Sequence, residues 1–218
     1  MKEKNPINNM PDIPCLYSLP RSGGTLIYNI VNYLFSGYVD PLSHSYELTD
    51  SKVVVTYRDF RDCAISWWRV KKGGFDEVDK MEKASFNDVK KYLDLTKRSI
   101  NNHLNEYKKK YPSHQIFYMQ YEKFYNNFEY IFEKFENFLE LKISEEDRII
   151  VKEEFSLESN KKRARKFENF SMWSKKYRIH GHHIFTGEVG TWKKIINLND
   201  HNAITEYLYN ELKEWGYE

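Results

Sequence analysis

Short apolar runs alternate with amphipathic stretches along this chain. Residues 13–19 form an apolar run typical of a buried strand, and residues 52–57 contain three consecutive valines that predict a second strand. Residues 115–119 (QIFYM) are a third candidate. Because these runs show little alternation of apolar and polar positions, they favour strands that are covered on both faces, as in parallel sheets.

Helical periodicity follows the predicted strands. Residues 26–35 are amphipathic and follow the first strand, and a helix that begins near Arg61 follows the second. The longest helical pattern covers residues 85–111, with Ser85 as a plausible N-cap, and Pro112 ends it. Two more helices are predicted at residues 128–139 and 203–215.

This order of elements predicts an α/β fold, a single three-layer α/β/α domain with a parallel sheet. The 218 residues are enough for one such domain but not for a second one, and residues 1–12 are expected to form an N-terminal tail. In such sheets ligands bind at the carboxyl ends of the strands. Residues 157–186 break the pattern, with eight Lys or Arg against one Glu between positions 160 and 180, and we expect a mobile basic loop there.

Composition narrows the class of protein. The net charge is only +2, so the chain as a whole is not a polyanion binder, and we expect no nucleic-acid partner. No window approaches the roughly 18 apolar residues of a membrane span. Cys15 and Cys63 lie at no metal-like spacing, which favours reduced thiols. Since no apolar signal segment opens the sequence, we expect a cytoplasmic protein.

A glycine turn joins the first predicted strand to its helix. Residues 20–25 (PRSGGT) would offer backbone N–H groups and a helix N-terminus to an anion, together with the charge of Arg21 and the hydroxyls of Ser22 and Thr25. These features are typical of a phosphate-binding loop, although an ordinary strand–helix turn explains the glycines equally well. No Walker A motif occurs in the chain.

A second polar segment follows the second strand. Arg58 lies at the strand end and Ser66 lies two turns into the next helix, so both can converge on another phosphate group at a distance from the glycine turn. Arg61 and Asp62 lie between Arg58 and Ser66. Taken alone, these two residues indicate surface charges or a helix start.

These segments resemble those of the sulfotransferases that use 3′-phosphoadenosine-5′-phosphosulfate (PAPS). Residues 20–25 resemble the family's P-loop-like 5′-phosphosulfate loop, and residues 58–66 resemble its 3′-phosphate motif, an Arg eight residues before a Ser. Residues 187–193 (GEVGTWK) are similar to its G-x-x-G-x-W-K motif, and residues 118–124 to the stretch that borders the adenine.

The resemblance implies transfer of a sulfuryl group from PAPS to a hydroxyl or amine of an unidentified acceptor. It implies that Arg58, Ser66 and the backbone of Gly187 hold the 3′-phosphate and that Arg21 has a catalytic role. Tyr121 is carried over to the adenine pocket, although a packed aromatic is an equally good interpretation. The residues implied to hold the 5′-phosphosulfate are Arg21, Ser22, Gly23, Gly24 and Thr25.

The sequence also departs from the family pattern. The basic pair expected before Gly187 is Phe185-Thr186 here, and Arg178 or a nearby lysine of the basic loop is the candidate replacement. Phe60 stands where Pro is usual. Only 32 residues (26–57) separate Thr25 from Arg58, so much of the acceptor pocket of the larger members is absent or built from other segments.

Histidines supply the candidate general base. By resemblance, His44 is the catalytic base, and Glu47 is the local alternative because some relatives use Glu. His180, His182 and His183 have no nearby residue that would complete a metal site, and no metal is expected.

Two rival functions remain open. A small-molecule kinase would use the glycine turn without a Walker lysine, and a non-enzymatic nucleic-acid binder would use the basic loop and the many tyrosines.

Overall fold

The computed structural model describes residues 13–39, 42–72, 83–182 and 184–218. The predicted tail at residues 1–12 and His183 therefore lie outside the described residues. Within the described ranges, no helix is long and apolar enough to cross a lipid bilayer.

A parallel sheet occupies the centre of the molecule. Its strands are β1 (Cys15–Ser18), β2 (Val53–Tyr57) and β3 (Ile116–Gln120), in the order β1-β2-β3. Cys15 pairs with Val53, and Val53 pairs with Ile116, so the three carboxyl ends lie at one edge. All three predicted strands are confirmed, with ends that differ from the predicted ones by at most two residues.

Helices cover both faces of this sheet. Alternate residues of each strand enter different cores. Val53 and Val55 pack in one core with residues such as Phe60 and Leu93, whereas Val54 packs in the other with residues such as Ile30 and Phe132. The predicted three-layer α/β/α arrangement is therefore confirmed. The helices are α1 (Gly24–Leu34), α2 (Phe60–Lys71), α3 (Phe86–Ser99), α4 (Asn105–Lys110), α5 (Tyr121–Phe124), α6 (Phe128–Leu139), α7 (Glu145–Glu154), α8 (Leu157–Ala164), α9 (Thr191–Ile195), α10 (His201–Tyr207) and α11 (Tyr209–Glu214).

Two predicted helices are interrupted. The pattern at residues 85–111 is divided between α3 and α4 by a π-helical turn (Ile100–Leu104), and Ser85 caps α3 in a capping box with Asp88. The C-terminal pattern is divided at Leu208, where α10 ends and α11 begins.

The loop prediction for residues 157–186 was wrong at its start. Leu157–Ala164 is helix α8, capped by the Ser156 hydroxyl, which accepts from the Ser159 N–H, and one helix face buries Asn160 and Ala164. Farther on, the backbones of Trp173 and His180 pair as an antiparallel bridge. Local capping and burial thus order a segment whose charge suggested a loop.

Candidate active site

Three sequence segments meet at the carboxyl edge of the sheet. The glycine turn follows β1, Arg58 follows β2, and Tyr121 follows β3. They face one open cleft, which the turn at Gly187 also borders. The predicted site residues that line this cleft are Arg21, Gly23, Thr25, Arg58, Ser66, Tyr121 and Gly187.

The glycine turn has the backbone of an anion-binding loop. Gly23 is the N-cap of α1 with φ 84°, a left-handed conformation that favours glycine. A Cβ at Gly24 would lie 2.1 Å from Ser18 Oγ, so only glycine lets the helix start this close to β1. The first amide N–H groups of α1 have no partner within the helix and are directed out of its N-terminus.

Ser22 anchors this turn to the sheet. Its side chain is fully buried, and its hydroxyl donates to the carbonyl oxygen of Leu19 at 2.6 Å. It also lies 2.9 Å from the Thr56 hydroxyl on β2. The hydroxyl of Ser22 therefore fixes the turn from beneath instead of lining the cleft.

Arg21 connects the glycine turn to α2. Its Nε donates to Ser66 Oγ at 2.9 Å. Burial, followed by the positive charges of Arg69 and Arg58, lowers the pKa of Arg21. The three arginines therefore give the cleft a concentrated positive charge that a bound anion would offset.

Arg58 is held in the wall of the cleft. Its Nη2 donates to Asp62 Oδ2 at 3.0 Å and to the Glu188 carbonyl oxygen at 2.5 Å, and its guanidinium lies 4.3 Å from the centre of the Tyr121 ring. Arg58 is 7% exposed, and its Nε has no hydrogen-bond partner among the described residues. A buried donor of this kind is costly unless a ligand oxygen accepts from it.

Asp62 corrects an expectation from the sequence. It begins a helix, as predicted, but it is 2% exposed and is not a surface charge. Its carboxylate accepts from the backbone N–H groups of Gly190 and Trp192, each at 2.8 Å. Burial raises the pKa of Asp62, while Arg58 and these two donors oppose that rise. Asp62 thus ties the Gly187 turn to Arg58.

Arg61 is buried as well, against the same expectation. It forms ion pairs with Asp59 and Glu218, and its guanidinium lies 4.6 Å from the centre of the Trp192 ring. The side chain therefore joins α2 to the C-terminus, and it does not line the cleft.

Tyr121 closes the cleft beside Gly187. Its hydroxyl donates to the Gly187 carbonyl oxygen at 2.6 Å, and burial raises its pKa to about 12, which keeps the phenol protonated at neutral pH. Gly187 has φ 76°, so this turn also depends on glycine.

The basic replacement expected before Gly187 is not found at Arg178. The Arg178 guanidinium lies 5.1 Å from the centre of the Tyr28 ring, and the residue is not part of the cleft lining. Phe185 does line the cleft, and the cation against its ring is Arg69 of α2. Sequence reasoning missed Arg69, although it lies three residues after Ser66 and thus on the same helix face.

His44 lies beside the carboxyl end of β1. Its Nδ1 is 2.8 Å from the carbonyl oxygen of Ser18, the last residue of that strand. Burial of part of the ring and the charge of Arg21 lower the pKa of His44, although the hydrogen bond to Ser18 opposes this shift. His44 is therefore neutral at pH 7.

Glu47, the alternative base, bonds to its neighbour Ser43. Its carboxylate accepts from the Ser43 hydroxyl at 2.9 Å, and its backbone N–H donates to the Tyr107 hydroxyl.

His180 and His182 contact backbone oxygens of Phe170 and Glu168. In the ranges that the structure describes, no group of three His, Cys, Asp or Glu could hold a metal ion.

Comparison with known proteins agrees with this geometry. The family model of the sulfotransferase domain matches residues 37–216. Among curated proteins, none matches the chain in sequence. Among solved structures, mouse sulfotransferase SULT7A1 complexed with PAP has a TM-score of 0.67 at 14% identity, with 93% of this chain and 84% of that one covered.

A second similar structure is retinol dehydratase in complex with androsterone and inactive cofactor PAP. Its TM-score is 0.61 at 16% identity, and the match covers 95% of this chain and 83% of that chain. These two likenesses establish the fold, and the family model covers most of the chain. The protein belongs to the sulfotransferase domain family.

Proposed function

We propose that this protein transfers a sulfuryl group from PAPS to a hydroxyl or amine of an acceptor. One observation carries the proposal: the N-terminal turn of α1 and the buried, incompletely bonded guanidinium of Arg58 face the same cleft. Such an arrangement suits a nucleotide with anionic groups at both its 5′ and 3′ positions. Both similar solved structures were captured with PAP, the 3′,5′-ADP that remains after sulfuryl transfer.

The glycine turn would hold the 5′-phosphosulfate. Arg21, Gly23, Gly24 and Thr25 are proposed as direct contacts through the Arg21 guanidinium, the Thr25 hydroxyl and the amides at the start of α1. The proposed contribution of Ser22 is support, since its hydroxyl bonds to Leu19 and Thr56.

The 3′-phosphate would lie between Arg58, Ser66 and the turn at Gly187. Support comes from the Nε of Arg58, which has no hydrogen-bond partner within the described ranges, and from the position of all three residues in the cleft wall. Tyr121 would border the adenine, since it packs on Arg58 and bonds to Gly187.

The proposed chemistry needs one charge stabiliser and one proton acceptor. PAPS supplies a sulfuryl group that is already attached to a phosphate leaving group. Arg21 and the α1 amides are positioned to stabilise negative charge on that leaving group, and preorganised electrostatics of this kind usually contributes most to the rate.

His44 is the proposed proton acceptor. The Ser18 carbonyl oxygen can only accept, so the neutral ring carries its proton on Nδ1 and keeps the lone pair on Nε2 for the acceptor's proton. Glu47 remains the alternative.

Nucleotide titration tests the proposal. Calorimetry should give much tighter binding for 3′,5′-ADP than for 5′-AMP, ATP or single-stranded DNA, and Arg58→Ala should remove most of the preference over 5′-AMP. A preference for ATP would favour the rival function of a small-molecule kinase. Tight binding of single-stranded DNA would favour that of a nucleic-acid-binding protein. A screen of sugars, phenols, lipids and peptides with sulfur-labelled PAPS would then identify the acceptor.

A further inference from the structure

Arg69 is the largest fully buried side chain of the molecule's described part, yet it borders the candidate active site. It is 1% exposed and belongs to the cleft lining together with Arg21, Arg58 and Ser66. Its guanidinium therefore adds a permanent positive charge to the wall of that cleft.

The contacts of Arg69 fix its orientation. Its Nη2 donates to the backbone oxygen of His182 at 2.9 Å, and its guanidinium lies 4.8 Å from the centre of the Phe185 ring. The carbonyl oxygen and the aromatic ring both orient the guanidinium. Its positive charge is felt at Arg21, whose pKa it lowers.

Helix α2 places three of its polar side chains in one row along the cleft. Asp62, Ser66 and Arg69 follow each other at steps of four and three residues, which places them on one helix face. Asp62 holds Arg58 at one end of this row, and Arg69 stands at the other end. Ser66, the proposed phosphate contact, therefore lies between two guanidinium groups.

We propose that Arg69 completes the 3′-phosphate subsite and makes this chain selective for nucleoside 3′-phosphates. The inference rests on the proposed function and extends it. The sequence carries Phe185-Thr186 where a basic pair is expected. The second cation of the subsite is therefore Arg69 of α2, which packs on the Phe185 ring, and not a residue of the segment that precedes Gly187. Phe185 becomes the platform that orients Arg69.

The test measures the ratio of the dissociation constants of 5′-AMP and 3′,5′-ADP. In Arg69→Met, which keeps most of the side-chain volume, we expect this ratio to fall about tenfold or more, because a charge-assisted hydrogen bond to the 3′-phosphate is lost. Binding of 5′-AMP should change by less than about twofold on the same reasoning. Arg69→Lys keeps the charge but not the planar fork, so the ratio should fall by a smaller factor.

Arg61→Met is the matched control, since Arg61 is a buried arginine of the same helix outside the cleft. It should lower the melting temperature without changing the ratio. An unchanged ratio in Arg69→Met, an equal loss of both nucleotides, or an equal fall in Arg61→Met would each overturn the inference. If Arg69→Met does not fold, an unchanged ratio in Arg69→Lys overturns it instead.

The failure of the proposed function looks different. In that case the wild-type protein itself would bind 5′-AMP and 3′,5′-ADP equally, before any substitution is made.

Discussion

Arg21 donates from Nε to Ser66 Oγ at 2.9 Å, although 45 positions separate the two residues in the chain. The bond joins the turn after β1 to the helix after β2. The Nε–H of the guanidinium makes this bond. The proposed 5′ and 3′ subsites are therefore mechanically linked through one hydrogen bond.

The first prediction concerns this arginine. Arg21→Ala should lower kcat about 10²- to 10³-fold, the usual effect of removing one preorganised charge stabiliser, and should weaken 3′,5′-ADP binding far less. The reason is that its charge counts most when negative charge develops on the leaving group. Initial rates with labelled PAPS and calorimetric titration of 3′,5′-ADP measure the two effects separately.

Ser66→Ala serves as the companion variant to Arg21→Ala. It removes the anchor of Arg21 but leaves the charge, so kcat should fall less than in Arg21→Ala, while 3′,5′-ADP binding should weaken more. Intact turnover in Arg21→Ala together with weak nucleotide binding would contradict the catalytic role of Arg21.

Asp62 is predicted to be essential for both stability and the cleft. In Asp62→Asn one buried acceptor becomes a donor that faces the N–H of Gly190 or Trp192, and Arg58 loses its buried counter-charge. Breaking such a pair should cost about 3 kcal/mol of unfolding free energy and weaken 3′,5′-ADP binding. Urea denaturation and calorimetry measure the two effects.

Asp94→Asn is the control for Asp62→Asn. Asp94 is half-exposed on α3, pairs with Lys90 and accepts from the Tyr207 hydroxyl. Asparagine keeps an oxygen that can accept from Tyr207, so stability should change little and the nucleotide affinity should stay unaltered. Equal stability of Asp62→Asn and wild type would show that the carboxylate does not hold the late turn.

Gly23 is predicted to tolerate no side chain. Gly23 and Gly37 have nearly the same φ, 84° and 88°, so alanine should cost roughly 1 to 2 kcal/mol of backbone strain at either position. Only at Gly23 would the new Cβ lie 2.7 Å from the Tyr121 ring, whereas nothing lies within 4 Å at Gly37. Gly23→Ala should therefore lose 3′,5′-ADP binding, and Gly37→Ala should lose only stability. Equal nucleotide affinity in the two variants would contradict the proposal that the glycine turn at Gly23 binds the nucleotide.

The sequence predicts those parts of the fold that local chemistry determines. The strands at Cys15–Ser18 and Val53–Tyr57 are apolar runs that need no distant partner to be identified. The glycine turn is equally local, since the close packing of Gly24 on Ser18 leaves a sequence signal in the glycine itself.

The parts that were missed depend on distant contacts. Asp62 bonds to Gly190 and Trp192, 128 and 130 positions away, so the segment around it gave no sign of burial. Arg69 contacts Phe185 and His182 in the cleft wall, and its spacing of three residues from Ser66 was the one local sign of this position. Charge misled the prediction at Leu157–Ala164, where a serine cap and two buried residues outweigh the lysines.

The last prediction assigns the general base. His44 lies at the sheet edge where the glycine turn begins, and Arg21 is close enough to lower its pKa. Glu47 bonds to Ser43 on the same connection and serves as the internal comparison. Because the two residues lie in one segment, their substitutions disturb the same backbone and differ mainly in chemistry.

His44→Ala should remove most turnover, about 10²- to 10⁴-fold for a lost general base, while 3′,5′-ADP binding changes little. Since the free base is the active form and burial lowers its pKa, wild-type kcat/KM should be flat near neutral pH and should fall only as the pH drops below the ordinary histidine pKa of about 6.5. Glu47→Gln should stay active with the same profile. An inactive Glu47→Gln together with an active His44→Ala would assign the role of base to the Glu47 carboxylate. A kcat/KM that already decreases on acidification while the pH is still above 7 would contradict the lowered pKa of His44.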